Sequence, residues 1–458
     1  MSDTIAAIAT PNAPGGIGIV RVSGGEAVAV ARRVFSPKRP LDWEHLPGYH
    51  MCSGWVCAPG AAPAQRIDEA ICLFYRSPKS YTGEDVLELS CHGGQMVLRL
   101  VLEAVLAAGA RLAQPGEFTK RAYLNGKIDL TEAEAVMQLV QAQSAAAARA
   151  AAAALGGALS TKIEAIRTGL TALAANLAAS VDYPEEETQT LSPQETGAAL
   201  SEAQTQLEAL LSQCGASAAM HEGVDTVLLG KPNVGKSTLM NRLAGFERTI
   251  VTEHAGTTRD TVTERVLLGK ALLRLTDTAG IRETQHPVER LGVERSRAAA
   301  ESAALLLLLL DASQALTQED HALLDSCDPA RTVVLLNKTD IGSCQDTAAL
   351  RTRFAWVLPI SAARGEGMQA LTQAVETLLE TDALSPEEAM LSTARQKECA
   401  GLAAAALREA VRVFHEGFAA DILQLLLEEA IQPLYQLTGE RATEAVVEEL
   451  FTQFCVGK

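Results

Sequence analysis

The chain has 458 residues, too many for one compact core, so about two to four domains are expected. Its content of 48% hydrophobic and 21% charged residues is that of a globular protein and excludes a disordered one. A net charge of −17 excludes broad, non-specific nucleic-acid binding, which needs a basic face, so an RNA partner has to be met by a local patch or through a second protein.

The longest unbroken apolar run, Ala303 to Leu310, ends in Asp311 and is far too short to cross a bilayer. The start, MSDTIAAIATPNAPGG, lacks the basic residues and long apolar stretch of a signal peptide, so a cytoplasmic chain is expected. Nine cysteines with no C-x-x-C pair point to reduced thiols, and Cys91-His92 has no second pair at zinc-ligand spacing. Aromatic residues are only 4%, which predicts much helix packed by aliphatic side chains.

Residues 1 to 120 read as mixed α and β structure. Ile17–Val22 and Ile67–Tyr75 are strand-like, with Gly- and Pro-rich turns between them. Asp85–Cys91 alternates, placing Val86, Glu88 and Ser90 on one face and Leu87, Leu89 and Cys91 on the other. Spacing alone puts the Glu88 carboxylate on the solvent side, the other option being a polar site. A helix is predicted over Gln95–Ala108. The stretch PGEFTKRAYLNGKIDL then gathers Lys120, Arg121 and Lys127, either as a solvated connector or as an anion or ligand site.

From Thr131 the texture is helical. Leu155, Leu159, Ile163, Ile166, Leu170, Leu173 and Leu177 form one stripe. Ser192-Pro193-Gln194-Glu195 predicts a capping box opening a second helix that runs to about Cys214. The acidic Glu185-Glu186-Glu187 reads as a solvated loop, and the alanine tract Ala145–Ala154 as close helix packing. Helices resume after about residue 380, with Leu407, Val411, Phe414 and Phe418 on one face and Val447, Phe451 and Phe454 on another. The flanking helices predict one helical domain with an insertion; two separate helical domains are the alternative.

Between the helical stretches lies GKPNVGKS, Gly230–Ser237, after the apolar run Val224–Leu229 and before a helical segment. It fits the phosphate-loop pattern in the strand–loop–helix context that pattern requires. Backbone N–H groups converge on phosphate oxygens, Lys236 serves the β- and γ-phosphates and Ser237 offers a hydroxyl to magnesium. Gly256-Thr257-Thr258-Arg259-Asp260 follows in a polar loop, where a threonine hydroxyl can complete a magnesium shell. Asp277-Thr278-Ala279-Gly280 closes another strand; Asp277 can hold magnesium through water and Gly280 can present its N–H to the γ-phosphate. Asn337-Lys338-Thr339-Asp340 supplies a carboxylate matching two donors on guanine, and Ser361-Ala362-Ala363 completes the base pocket. All of these in order predict GTP rather than ATP. The position after Gly280 is Ile281, which cannot orient water as a switch glutamine does; Arg259, Arg282 and Arg290 are nearby, but none is identifiable as an arginine finger.

The blocks TPNAPGGIGIVRVSG, SYTGEDVLELSCHGG, PGEFTKRAYLNGKIDLTEAEAV, GKPNVGKS, AGTTRD, DTAGIRE, NKTD and the terminal FCVGK resemble the MnmE (TrmE) family of tRNA-modification GTPases along the whole chain. The resemblance implies a multidomain α+β and α/β protein: a folate-binding, aminomethyltransferase-like and dimer-forming N-terminal domain (1–120), a discontinuous all-α domain (121–222 and 382–458) and an inserted Ras-like P-loop GTPase domain (223–381).

It further implies a GTP contact set of Asn233, Val234, Gly235, Lys236, Ser237 and Thr238, then Thr252, Glu253, His254, Ala255, Gly256, Thr257 and Thr258, then Asp277 to Gly280, Asn337 to Asp340, and Ser361 to Ala363. Potassium is implied at Asn233, Thr252, His254 and Thr257, with His254 contributing its carbonyl, and magnesium at Ser237 and Thr258. Such a potassium ion puts positive charge where an arginine finger otherwise acts.

Glu289 matches the family glutamate that orients the water through a second water, so Glu289→Ala is expected to bind GTP normally and turn over poorly. Arg21, Glu88, Lys127 and Lys458 match the folate positions, which replaces the solvent-side reading of Glu88. Arg21 and the lysines suit the acidic folate tail, and Glu88 the pterin ring.

The implied activity is potassium-stimulated GTP hydrolysis. With an FAD-dependent partner, MnmG (GidA), in a heterotetramer or larger complex, it adds a carboxymethylaminomethyl or aminomethyl group to C5 of the wobble uridine of certain tRNAs. The one-carbon unit comes from a methylene- or 5-formyl-tetrahydrofolate derivative. The partner is expected to make most tRNA contacts, and no membrane is involved. Cys455 is a position for chemistry or a packing thiol near a dimer contact. The alternative function is a regulatory GTP switch in ribosome or complex assembly, and a third reading is a folate-dependent methyltransferase using GTP only structurally.

Overall fold

The computed structural model describes residues 3–11, 13–60, 65–182, 191–246, 263–277, 301–342, 347–417 and 420–457. Its contacts divide the chain into two compact units, Met1–Met137 with Tyr435–Lys458, and Gln138–Leu434.

The first unit is built on a seven-stranded sheet. Its strands are β1 (Ile5–Ile8), β2 (Ile17–Ser23), β3 (Phe35–Pro37), β4 (His50–Cys57), β5 (Arg66–Tyr75), β6 (Val86–His92) and β7 (Arg111–Leu112), in the order β3-β4-β5-β6-β2-β1-β7. All neighbours are antiparallel except β1 and β7. Helices α1 (Ala27–Val34) and α2 (Gln95–Ala107) cover one face, where Val20, Val22, Cys72, Leu87, Leu89 and Cys91 meet Val30, Leu98 and Val101 in one buried cluster. The alternation predicted for β6 is therefore present, with Leu87, Leu89 and Cys91 inward.

On the opposite face, α3 (Glu117–Leu124) packs Phe118 onto Ile5 and Ala7 of β1. The C-terminal helix Glu444–Thr452 packs on α3, with Phe451 between Tyr123 and Phe454. Val447, Phe451 and Phe454 are buried, as their spacing predicts.

After α4 (Leu130–Gln141), the second unit joins helices, beginning with α5 (Ala145–Leu155), α6 (Ala158–Asp182), α7 (Pro193–Ser212) and α8 (Cys214–His221), to a six-stranded sheet. The strands β8 (Val224–Leu229), β9 (Thr263–Leu268), β10 (Ala271–Asp277), β11 (Leu305–Asp311), β12 (Thr332–Asn337) and β13 (Trp356–Pro359) run β13-β12-β11-β8-β10-β9, parallel except for the β9–β10 hairpin. The leucine run of β11 serves both faces. Leu305, Leu307 and Leu309 join the core under α9 (Lys236–Phe246) and the helix Met368–Leu378, while Leu306, Leu308 and Leu310 join that under Leu324, Leu350 and Phe354. A continuous apolar run is what a parallel strand covered on both faces needs.

The helical part corrects two sequence expectations. The stripe Leu155–Leu177 is not one helix: Ala145–Leu155 and Ala158–Asp182 are separated at Gly156-Gly157, where Gly157 turns left-handed at φ +84. Leu159, Ile163, Ile166, Leu170 and Leu173 are buried on the longer helix. In the helix Ala394–Glu416 the buried face runs through Cys399, Ala400, Ala403, Ala404, Leu407, Ala410 and Val413, not through Val411 and Phe414. The helix stops at Gly417 in a left-handed conformation, and Phe418 lies outside the described residues. Small residues win the inner face because the neighbouring helix comes close. Pro193–Ser212 packs along it, and beside that face its Gly197 makes room for the half-buried Phe414 ring, which a Cβ there would approach to 2.9 Å.

The predicted capping box is present: Glu195 N–H donates to Ser192 Oγ at 3.2 Å, and Ser192 N–H donates to Glu195 Oε2 at 2.8 Å. The second helix ends at Ser212, and a short helix, Cys214–His221, leads into β8. Ala147, Ala150 and Ala151 of the alanine tract are buried, while Glu185-Glu186-Glu187 lies outside the described residues. The eight described cysteines are all free thiols, and among the described residues no helix is long and apolar enough to cross a membrane.

Candidate functional site

The phosphate loop hangs between β8 and α9, at the carboxyl end of the central strand. There a doubly wound sheet reverses direction and leaves a crevice for ligands. Gly230 has φ +145, and a Cβ there would lie 2.5 Å from Leu309 O of the adjacent strand, so only glycine lets β8 turn out of the sheet. Asn233 is left-handed at φ +64, a region asparagine tolerates better than most residues. Lys236 Nζ donates to Gly230 O at 2.5 Å and to Lys231 O at 2.9 Å, folding the ammonium back over the loop. Ser237 and Thr238 are exposed on the first turn of α9, and their side chains make no hydrogen bond among the described residues. A helix start with free N–H groups is a ready anion site.

Asn337, at the end of β12 and 3% exposed, joins the two halves of the site. Its Nδ2 donates to Val234 O at 2.7 Å in the phosphate loop, and its Oδ1 accepts from Ala362 N–H at 2.9 Å in the loop after β13. Lys338 turns left-handed at φ +70 and its ammonium pairs with Asp311 at 2.7 Å. Burial works to raise the Asp311 carboxyl, but Lys338 and Ser313 hold it below the ordinary carboxylate value. Asp340 Oδ1 accepts from the buried Ser361 hydroxyl at 2.8 Å, which fixes one carboxylate oxygen. Asp277 ends β10 beside Leu228. Thr252, Glu253, His254, Ala255, Gly256, Thr257, Thr258, Arg259, Asp260, Thr278, Ala279, Gly280, Ile281, Arg282, Glu289 and Arg290 lie outside the described residues.

The first unit holds a second cluster. Arg21 on β2 and Glu88 on β6 are directly opposed in register, and Arg21 Nε donates to Glu88 Oε1 at 2.8 Å. Side-chain exposures of 20% and 15% correct the solvent-side reading of Glu88: its carboxylate is ion-paired and mostly covered. The Arg21 guanidinium lies 5.6 Å from the centroids of both Tyr81 and Phe118, and its Nη1 donates to Gly457 O at 3.4 Å. Burial raises the Tyr81 phenol above its ordinary value. Lys127 Nζ donates to Pro78 O at 3.2 Å, on the loop that carries Tyr81. Cys455 is exposed; its carbonyl accepts from Gly116 N–H at 3.3 Å, and Lys458 lies outside the described residues.

The other basic residues of that stretch are spent on the fold. Arg121 reaches Asp3 at 2.9 Å and both Glu84 and Glu117 at 3.0 Å, while Lys120 pairs with Glu448. Tyr81 and Phe118 were not legible as site residues, although both fall in the sequence blocks that carry the family resemblance. Lys231, which binds Thr317 Oγ1 at 2.8 Å and Asp320 at 2.6 Å, was also missed, because its partner lies 89 positions away.

The family model described as the MnmE helical domain matches residues 130–455, and that of the GTP-binding protein TrmE N-terminus matches residues 4–127. The chain is 43% identical to a tRNA modification GTPase MnmE of Symbiobacterium thermophilum, over 100% of this chain and 99% of that protein. It is 41% identical to one of a Synechococcus species, again over 100% and 99%. Among solved structures, an Aquifex aeolicus Era variant bound to GDP·AlF4− is 26% identical over 40% of this chain and 66% of its own, with a TM-score of 0.27, too low to support a structural argument. The full-length identity and the two family models together show that this chain belongs to the MnmE family of tRNA modification GTPases.

Proposed function

We propose that the chain hydrolyses GTP and that this turnover serves the modification of wobble uridine at C5 in certain tRNAs. The observation that carries the GTP reading is Asn337, which ties the phosphate loop to the base loop and so sets Asp340 at a fixed place relative to Lys236. Guanine offers N1–H and the 2-amino group to a carboxylate, a pair adenine lacks, so Asp340 selects the base. The loop N–H groups and Lys236 bind the phosphates, after Lys236 exchanges two loop carbonyls for phosphate oxygens. The exposed Ser237 hydroxyl fits a magnesium ligand, with Thr258 as the second and Asp277 acting through water. Magnesium would neutralise charge on the β- and γ-phosphates.

In this reading Glu289 orients the attacking water through a second water, the γ-phosphate bond to the β-phosphate oxygen breaks, and GDP and inorganic phosphate leave. Asn233, held left-handed at the loop's exposed edge, suits a potassium ligand, with Thr252, His254 and Thr257 proposed as the other ligands. The contact set includes Val234, Gly235, Thr238, Glu253, Ala255, Gly256, Thr278, Ala279, Gly280, Lys338, Thr339, Ser361, Ala362 and Ala363.

The remaining parts of the proposal concern the N-terminal unit and the assembly. Arg21, Lys127 and Lys458 would meet the acidic part of a tetrahydrofolate derivative and Glu88 its ring, with Tyr81 and Phe118 as flat neighbours. The sheet face carrying Arg21 and Glu88 leaves Ile17, Met51 and Ile71 exposed at 66%, 64% and 44%, which supports a homodimer contact there. The four segments 1–120, 121–222, 223–381 and 382–458 are proposed as folate-binding, helical, GTPase and helical, working in the cytoplasm with the FAD-dependent partner. Cys455, exposed near Arg21's carbonyl contact, remains a position for chemistry.

GTP turnover in potassium against sodium tests the nucleotide part. Wild type is expected to turn over at least about tenfold faster in potassium, and Glu289→Ala to bind GTP with little turnover in either salt. Equal rates in both salts would remove potassium from the proposal.

A further inference from the structure

The loop that closes the base pocket is held by a side chain outside every nucleotide motif. Arg242 projects from α9, and its Nε donates to Ala362 O at 3.1 Å while its Nη2 donates to Ala363 O. Its guanidinium lies against Gly365, where a Cβ would stand 3.4 Å from Nη1. Ala362 and Ala363 themselves can offer a base only backbone N–H groups, while the next residue, Arg364, holds its guanidinium 3.8 Å from Asp340 Oδ2. The Ala362 N–H is taken by Asn337 Oδ1 at 2.9 Å. The Ala363 N–H has no hydrogen-bond partner among the described residues.

The geometry of the peptide then matters. Ala362 C=O and Ala363 N–H belong to one trans peptide and point in opposite directions. Gripping the carbonyl from α9 aims the N–H away from α9. With Asp340 taking the N1–H and 2-amino donors, the remaining polar group on that edge of guanine is O6, an acceptor. We infer that Arg242 is a positioning residue for guanine selection, holding the Ala362–Ala363 peptide so that its N–H donates to O6. This rests on the GTP reading above. An arginine suits the task because its planar fork spans two carbonyls at once, whereas a lysine engages one.

The test compares GDP with 6-thio-GDP, which keeps both donors for Asp340 and replaces O6 with a weaker acceptor, by equilibrium binding to wild type, Arg242→Ala and Arg242→Lys. For Arg242→Ala, GDP is expected to weaken about tenfold, ~1.4 kcal/mol, and 6-thio-GDP by less than about threefold. In turnover the loss enters KM for GTP rather than kcat. Arg242→Lys recovers part of the preference for GDP. If Arg242→Ala does not fold, Arg242→Lys carries the comparison, and a GDP to 6-thio-GDP ratio equal to that of wild type overturns the inference. Equal weakening of both nucleotides by Arg242→Ala also overturns it, because a mere brace would loosen the pocket without regard to O6. Failure of wild type to bind guanine nucleotides at all would instead sink the GTP reading.

Discussion

The two candidate ligand clusters of this chain are built in opposite ways. The nucleotide cluster sits at the carboxyl ends of parallel strands, where each loop contributes a short run: Gly230–Ser237 after β8, Asn337–Asp340 after β12 and Ser361–Ala363 after β13. The N-terminal cluster lies on an antiparallel sheet face, where Arg21 and Glu88 meet across two strands and the backbone near Gly457 comes in from the far end of the chain. A site made of loop runs tolerates little change in spacing within each run. A site made of cross-strand pairs needs only the right residue at one register position. That difference decides how each should respond to mutation.

The largest effect is expected at Lys236. Lys236→Ala removes the charge that replaces loop carbonyls with phosphate, and kcat/KM for GTP should fall by about a thousandfold. Steady-state kinetics would show it, while folate binding stays as in wild type; a parallel loss of folate binding would break the separation of the two clusters. Next is Asp340→Asn, which swaps an acceptor for a donor. GTP should bind about a hundredfold more weakly and xanthosine triphosphate more tightly, because xanthine carries a carbonyl in place of the 2-amino group. An unchanged preference for GTP would mean the base is read elsewhere.

The N-terminal cluster should respond more modestly. Arg21→Ala leaves the largely covered Glu88 carboxylate without its partner. Folate affinity is expected to drop about tenfold and stability by ~1–3 kcal/mol, with GDP affinity within about twofold of wild type. Calorimetric titration with 5-formyl-tetrahydrofolate and a thermal melt check both. The smallest effect is acid sensitivity at His221, which closes the helix leading into β8 and whose Nε2 is buried without a hydrogen-bond partner among the described residues. Burial pushes its pKa down from 6.5 to about 4, so the neutral form is favoured in the folded state. That stability is complete above pH 6.5 and is lost as the pH falls toward 4. His221→Leu should flatten this part of the pH dependence of unfolding in the Gln138–Leu434 unit; an unaltered profile would acquit His221.

The same contrast explains what was legible in the sequence. Val224–Leu229 followed by GKPNVGKS announces a strand, a loop and a helix in one short stretch, and the described parts lie as the pattern requires. For Glu88, alternation correctly separates it from Leu87 and Leu89, but nothing local reveals Arg21, 67 positions away. The partner across a sheet is a matter of topology. The helical stripe Leu155–Leu177 misleads for another reason: its apolar period runs unbroken through Gly156-Gly157, while the backbone does not. On the helix Ala394–Glu416, close packing against Pro193–Ser212 selects alanines for the inner face, a preference that a search for large apolar residues passes over.

The central claim is that GTP turnover by this chain serves wobble-uridine modification. Nucleoside mass spectrometry of bulk tRNA tests it most directly, in cells lacking the chain and in the same cells given wild type or Glu289→Ala. Loss of aminomethyl-type wobble uridines is expected without the chain, restored by wild type and not by Glu289→Ala. A nucleoside profile unchanged by removing the chain, with no paralogue present, would contradict it.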